Sequence, residues 1–247
     1  MMSAASTGFA EAAKLKATGK VNIVLVHGFW ADGSSWDRVI PILLNAGHRV
    51  SAAQLCYNTF EEDVEIATRL VDAQSGPTVV AGHSYGGAVI TGAGSRSTNA
   101  KAVVFVASWA PDQNEGLGEV SSHYPDPGVG KAIRPDSTGH LWVAQDLFRG
   151  AFCADVDPVR ASIMAAVQRP ANGALPATKF TEIPAWKKLP SWYAVSENDK
   201  TVHPDAQREL AKRMKATTTL LASSHASLVS HPDQVAAVIL NACAYVS

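Results

Sequence analysis

Short apolar runs separated by longer stretches with helical spacing set the rhythm of this chain. The runs are VNIVLV at 21–26, RVSAAQL at 49–55, TVVA at 78–81, AVVFVA at 102–107, SWYAVS at 191–196 and TTLLA at 218–222. Most lack the apolar/polar alternation of a half-wet strand, so they predict strands buried on both faces. Between them lie amphipathic segments. Residues 61–75 open with Glu61, Glu62 and Asp63, where a helix dipole favours acids, carry Val64, Ala67 and Val71 on one face, and meet Gly76 and Pro77 at their end. Residues 204–215 open on Pro204 and align Ala206, Leu210 and Met214; residues 232–244 open on Pro232 and align Val235, Val238, Ile239 and Ala242. Buried strands alternating with such helices predict an α/β fold, with a mostly parallel central sheet flanked by helices.

The rhythm fails between 112 and 188. APDQNEGLGEVSSHYPDPGVGK is rich in Gly, Pro and acids, the residues after it carry Trp142, Phe148, Phe152 and Trp186, and no strand is obvious. Because the alternation resumes at Pro190, this stretch is expected to be a small cap inserted over the sheet. It divides a core of 20–111 and 189–247, with 1–19 as a loose N-terminal arm.

Composition narrows the partners. The chain has 247 residues, 47% of them hydrophobic, enough for one full core. A net charge of -1, with scattered acids and bases, offers no footprint for nucleic acid or an anionic membrane. Cys56, Cys153 and Cys243 are odd in number and far apart, so they predict packing residues rather than a disulfide framework or a zinc site. No apolar stretch reaches membrane-span length, and the first twenty residues lack the apolar centre of a signal peptide. A cytoplasmic protein is the expectation, although a secreted chain after signal removal would read similarly.

One apolar run is interrupted by a polar knot. In VVAGHSYGGAVI (79–90), His83, Ser84 and Tyr85 sit among Gly82, Gly86 and Gly87. This is the G-x-S-x-G pattern of a strand that stops abruptly, lifts a serine out at a tight turn and resumes as a helix. A serine is a weak nucleophile alone, so it needs a base, an acid to orient that base, and donors for the developing oxyanion. Candidates come in that chain order. Beyond SWYAVS, at a strand's carboxyl end, come Glu197, Asp199 and Asp205; beyond TTLLA comes His225. Asp199 is the preferred acid, since Asp205 falls in the first turn of a helix and Glu197 reads as surface charge. His225 is preferred to His231 and His203, each of which precedes a proline and reads as a helix cap. His83 is expected to pack and bond to backbone, and His48, His123 and His140 to lie in loops or at the surface. The strand end in VLVHGFW puts the Phe29 N–H where it could meet that of Tyr85. Trp30, Trp109 and Trp142 are the candidate substrate-binding aromatics, in a walled apolar pocket suited to short acyl chains.

Together, VLVHGFWADGSSWDRVIPILLNAGHRV, GHSYGGAVI, FVASWAPD and SHASLVSHPDQVAAVI make the chain resemble the α/β-hydrolase superfamily over residues 20–247. The likeness is greatest to its small-cap group of plant methyl-ester esterases, related bacterial esterases and hydroxynitrile lyases. The resemblance implies Ser84, Asp199 and His225 as a triad, Phe29 and Tyr85 as oxyanion donors, and cleavage of small carboxylic esters without metal or other cofactor. The lyases carry threonine after the HG turn and lysine after the histidine, where this chain has Phe29 and Ala226. That favours ester hydrolysis over cyanohydrin cleavage. Epoxide hydrolases and dehalogenases of the superfamily require an aspartate where Ser84 stands. A ligand-binding receptor with little turnover is the alternative from another class.

Overall fold

The computed structural model describes residues 19–247, so the arm expected over 1–19 lies, apart from Gly19, outside the described residues. In chain order the strands are β1 (Asn22–Val26), β2 (Arg49–Ala52), β3 (Thr78–His83), β4 (Ala100–Val106), β5 (Ile133–Pro135), β6 (His140–Val143), β7 (Ala171–Asn172), β8 (Ser191–Ser196) and β9 (Thr217–Leu221). The helices are α1 (Ile40–Asn45), α2 (Phe60–Asp72), α3 (Tyr85–Arg96), α4 (Glu119–Ser122), α5 (Gln145–Phe152), α6 (Pro158–Val167), α7 (Pro204–Arg213), α8 (Ser227–Ser230) and α9 (Pro232–Val246). Each apolar run of the sequence contributes a strand to one six-stranded sheet, ordered β2-β1-β3-β4-β8-β9 and parallel throughout. Of its four inner strands, β1, β3 and β8 are wholly buried and β4 is buried apart from Lys101, as helices covering both faces require.

The sheet order itself points to a site. From β1 the chain first steps outward to β2, then returns to lay β3 on the other side of β1. The two crossovers diverge there, opening a crevice at the carboxyl ends of β1 and β3. The segment HGF comes after β1 at that point, and Ser84 comes after β3.

Two helix starts show how local chemistry sets boundaries. Thr59 caps α2 by accepting from the Glu62 N–H at 3.2 Å, and His203 caps α7 by accepting from the Asp205 N–H at 3.1 Å. Asp63, one of the three acids at the start of α2, is not a surface charge: it is fully buried and takes hydrogen bonds from Cys56, Tyr57 and Tyr85.

Between β4 and β8 the structure departs from expectation. Strands β5, β6 and β7 form an antiparallel sheet, accompanied by α4, α5 and α6, where the sequence predicts no strand in 112–188. With three, four and two residues these strands are too short to leave a period-2 pattern. His48 also departs: it is buried, and its Nδ1 accepts the Val21 N–H at 3.4 Å, closing the start of β1. His231 does occupy the entry to α9, but its ring makes no capping bond; Nδ1 pairs with the Ser230 hydroxyl at 2.9 Å and lies 3.5 Å from Asp155. Among the described residues no helix is long and apolar enough to cross a membrane.

Candidate active site

Ser84 sits at the turn from β3 into α3 with φ +54°, a left-handed conformation that a residue with a Cβ adopts at a cost of about 1–3 kcal/mol. The surroundings hold it there. The Ser84 N–H donates to the Val106 carbonyl, and the Ser84 carbonyl accepts from the N–H groups of Gly87 and Trp109. The turn closes only because its neighbours lack side chains: a Cβ on Gly82 would lie 2.4 Å from the Gly86 carbonyl oxygen, and one on Gly86 2.5 Å from that of Val26.

His225 and Asp199 meet in the interior. His225 Nδ1 is 2.7 Å from Asp199 Oδ2, and both side chains are fully buried. The carboxylate is held from every side, Oδ1 accepting from the N–H groups of Thr201 at 2.7 Å and Val202 at 3.0 Å, Oδ2 from Gln207 Nε2 at 2.7 Å as well as from His225. Gln207 cannot turn over, since its Oε1 accepts the Ser196 N–H while its Nε2 also donates to the Val202 carbonyl. Nδ1 therefore faces only acceptor oxygen and carries the proton, which leaves Nε2 as the basic nitrogen. That Nε2 is buried and has no protein partner among the described residues. The other acids stay outside: Glu197 and Asp205 both pair with Arg208 at the surface.

His83 adjoins this pair without joining it. Its Nε2 donates to the His225 carbonyl at 2.9 Å and its ring lies 4.6 Å from the His225 ring. Burial, then the neighbouring His225, hold its pKa well below the histidine range, so it is a neutral strut on the His225 backbone.

The two expected backbone donors flank the serine. A Cβ on Gly28 would fall 2.5 Å from Ser84 Cβ and 3.1 Å from Ser84 Oγ, so the Gly28–Phe29 peptide runs directly beside the serine side chain. Tyr85 supplies the first N–H of α3, which has no intrahelical acceptor. Neither N–H has a protein acceptor among the described residues. The Phe29 and Tyr85 rings stack at 4.3 Å and 16°, which ties the two donor residues to each other.

Residues 23–238 match the family model described as the Alpha/beta hydrolase family. The chain belongs to the alpha/beta hydrolase family. Among proteins similar to it, Methylesterase 8 of Arabidopsis thaliana is 26% identical over 215 residues, covering 76% of each chain. A crystal structure of a pyrethroid hydrolase from Sphingobium faniae JZ-2 superposes with a TM-score of 0.77 at 20% identity, over 90% of this chain and 97% of that one. Polyneuridine aldehyde esterase gives 0.77 at 18% identity, over 90% and 99%. The fold is thus the alpha/beta hydrolase fold, and the protein is a hydrolytic enzyme.

Beside the serine turn this hydrolase has an apolar cavity of about 190 Å³, lined among others by Trp30, His83, Phe152, Met164, Ala226 and Leu228. Of the three tryptophans singled out in the sequence, only Trp30 lines it, anchored by an Nε1 bond to the Leu141 carbonyl at 2.9 Å. Trp109 instead packs edge-on against Phe29 and Tyr85 and donates to Ser121 Oγ. Trp142 is 37% exposed on β6 and donates to Asp136, away from the cavity. Alternation explains it: neighbouring residues of a strand face opposite ways, so with Val143 buried Trp142 turns outward. The Tyr85 side chain also turns away, its hydroxyl donating to Asp63. From the segment between β4 and β8, the ring that does reach the site is Phe152, at the end of α5, 5.0 Å from the His225 ring and 5.9 Å from that of Trp30. Nothing in its local sequence marks it beyond being aromatic. Tyr57, buried with His27 under the Gly28–Ala31 loop, is equally unmarked.

Proposed function

We propose that this enzyme hydrolyses small to medium carboxylic esters through an acyl-enzyme on Ser84. His225 Nε2 takes the proton of Ser84 Oγ as the oxygen attacks the ester carbonyl. The negative charge that forms on the carbonyl oxygen is received by the N–H groups of Phe29 and Tyr85, two donors already free of protein partners among the described residues. Asp199 keeps the imidazole in the tautomer that leaves Nε2 basic and balances the charge of the imidazolium. The imidazolium then gives its proton to the leaving alcohol, and water repeats the sequence on the acyl group. No step needs a metal or cofactor.

The observation that carries this reading is the buried His225–Asp199 pair with an unpartnered Nε2, bonded through the His225 carbonyl to His83, the residue before a serine held at positive φ. Retaining this strained and desolvated arrangement costs stability, which a passive pocket has no need to sustain. Esterase-named relatives support the same chemistry. The apolar cavity fits an acyl chain or aromatic alcohol of modest size. Steady release of nitrophenol from p-nitrophenyl butyrate, lost by several orders of magnitude in Ser84→Ala, is the expected result. One burst without turnover would favour the ligand-binding alternative, and full activity in Ser84→Ala would end the proposal.

A further inference from the structure

Beneath the Phe29 amide lies a buried polar cluster that takes no part in the acyl-transfer steps. Tyr57, 1% exposed, directs its hydroxyl at the Gly28 carbonyl in a very short contact, with the Ala31 carbonyl 3.0 Å away. His27 Nδ1 lies 2.9 Å from the same hydroxyl and 3.1 Å from the same Gly28 carbonyl. Neighbouring groups fix where the protons sit. The Leu55 N–H donates to His27 Nε2 at 3.0 Å, so Nε2 is bare. Burial lowers the His27 pKa to about 4, so the ring is neutral and its one proton is on Nδ1, pointing at Gly28 and Tyr57. The Tyr57 hydroxyl, kept protonated by burial, has two carbonyls to choose from and lies closest to that of Gly28.

The Gly28 carbonyl and the Phe29 N–H belong to one planar trans peptide, so they point in opposite directions. Fixing the oxygen on the Tyr57 side fixes the N–H on the other. We propose that Tyr57, donating to the Gly28 carbonyl, is a positioning residue that orients the Phe29 N–H toward the reacting carbonyl oxygen, with buried Asp63 coupling it to the second donor. Asp63 makes that link because its Oδ1 accepts the N–H groups of Cys56 and Tyr57 while its Oδ2 accepts the Tyr85 hydroxyl at 2.8 Å. Tyr57 itself stands at φ +62°, a conformation that persists only where neighbours over-determine it, and the Asp63 carboxylate and the Arg169 guanidinium, 5.1 Å from its ring centre, do so. One carboxylate thus fixes the residues behind both oxyanion donors.

This role rests on the ester-hydrolase reading, and Tyr57→Phe tests it, because the ring and its packing stay while the donor goes. Removing an oxyanion donor outright costs roughly 10²–10³ in kcat; loosening its orientation should cost about tenfold. The expected result is therefore about a tenfold loss of kcat on p-nitrophenyl acetate with KM little changed, and an equal weakening of a trifluoromethyl ketone that captures Ser84 as an oxyanion adduct. Independently of turnover, the amide ¹⁵N resonance of Phe29 should shift upfield, since its carbonyl partner loses a donor. If the variant does not fold, the wild type decides: its Tyr57 hydroxyl proton should give a slowly exchanging resonance with through-space contacts to Gly28, and its absence refutes the role. An unmoved Phe29 resonance, an unchanged kcat, or a raised KM with kcat intact overturns the role of Tyr57 alone. A wild type without Ser84-dependent turnover takes down both readings.

Discussion

Replacing Asp199 with asparagine changes one carboxylate oxygen into an amide nitrogen, and the surrounding hydrogen bonds determine the consequence. All four groups aimed at the carboxylate are donors: two backbone N–H groups on one oxygen, Gln207 Nε2 and His225 Nδ1 on the other. The backbone donors are immovable, so the asparagine oxygen stays with them and its NH₂ faces Gln207 and His225. Gln207 is pinned by Ser196 and Val202, so its donor meets another donor. His225 can adapt only by moving its proton to Nε2, and an imidazole with Nε2 protonated cannot accept from Ser84. The wrong tautomer of such a triad costs roughly 10⁴ in kcat, about 5 kcal/mol of barrier. The unmatched buried donor should destabilise the fold by about 1–3 kcal/mol. Initial rates on p-nitrophenyl butyrate, with urea unfolding alongside, measure both. Glu197→Gln is the control: it breaks only a half-exposed pair with Arg208, so its rate should hold and its stability change by less than about 1 kcal/mol. An Asp199→Asn enzyme within tenfold of wild type, or a larger loss from Glu197→Gln, would refute the assignment of the acid.

The cavity and the buried histidines each set a further expectation. Across p-nitrophenyl esters, rates should rise from acetate, by up to about 0.8 kcal/mol of binding per methylene, and fall beyond hexanoate as the wall near Phe152 is met; Phe152→Ala should move the optimum to longer chains, and a smooth rise through dodecanoate would contradict a closed pocket. Since burial holds His27 near pKa 4 against about 6.5 unfolded, the unfolded chain alone takes up a proton between those pH values, so this stability is complete above pH 6.5 and up to about 3 kcal/mol is lost as pH falls to 4. Urea midpoints at pH 7 and 4.5 should therefore converge in His27→Gln relative to wild type, and equal losses in both would contradict it.

What can be read in the sequence is what rests on local pattern. Buried strands announce themselves as apolar runs, and the glycines around Ser84 mark a turn that any Cβ would block. Asp199 and His225 stand out because each comes after a strand's carboxyl end, where parallel sheets gather chemistry. Pairings between distant segments leave no such trace. Tyr57 acquires meaning only when β1 brings Gly28 over it, and Asp63 reads as an N-terminal helix acid until Tyr85 is seen to reach it. The choice among aromatics also fails locally. Trp142 and Phe152 look equivalent in sequence, yet the four-residue strand β6 turns Trp142 outward, and only the tertiary packing of the Phe152 ring on His225 selects Phe152.

The central claim is that Ser84 becomes acylated, and its most direct measurement is mass spectrometry of the enzyme quenched during turnover of an ester, or treated with phenylmethylsulfonyl fluoride, then digested for peptide mapping. The added mass should lie on the peptide containing Ser84, grow in parallel with loss of activity in the sulfonyl fluoride reaction, and vanish in Ser84→Ala. Label on another residue with activity lost in step, or turnover that survives in Ser84→Ala, would contradict the account.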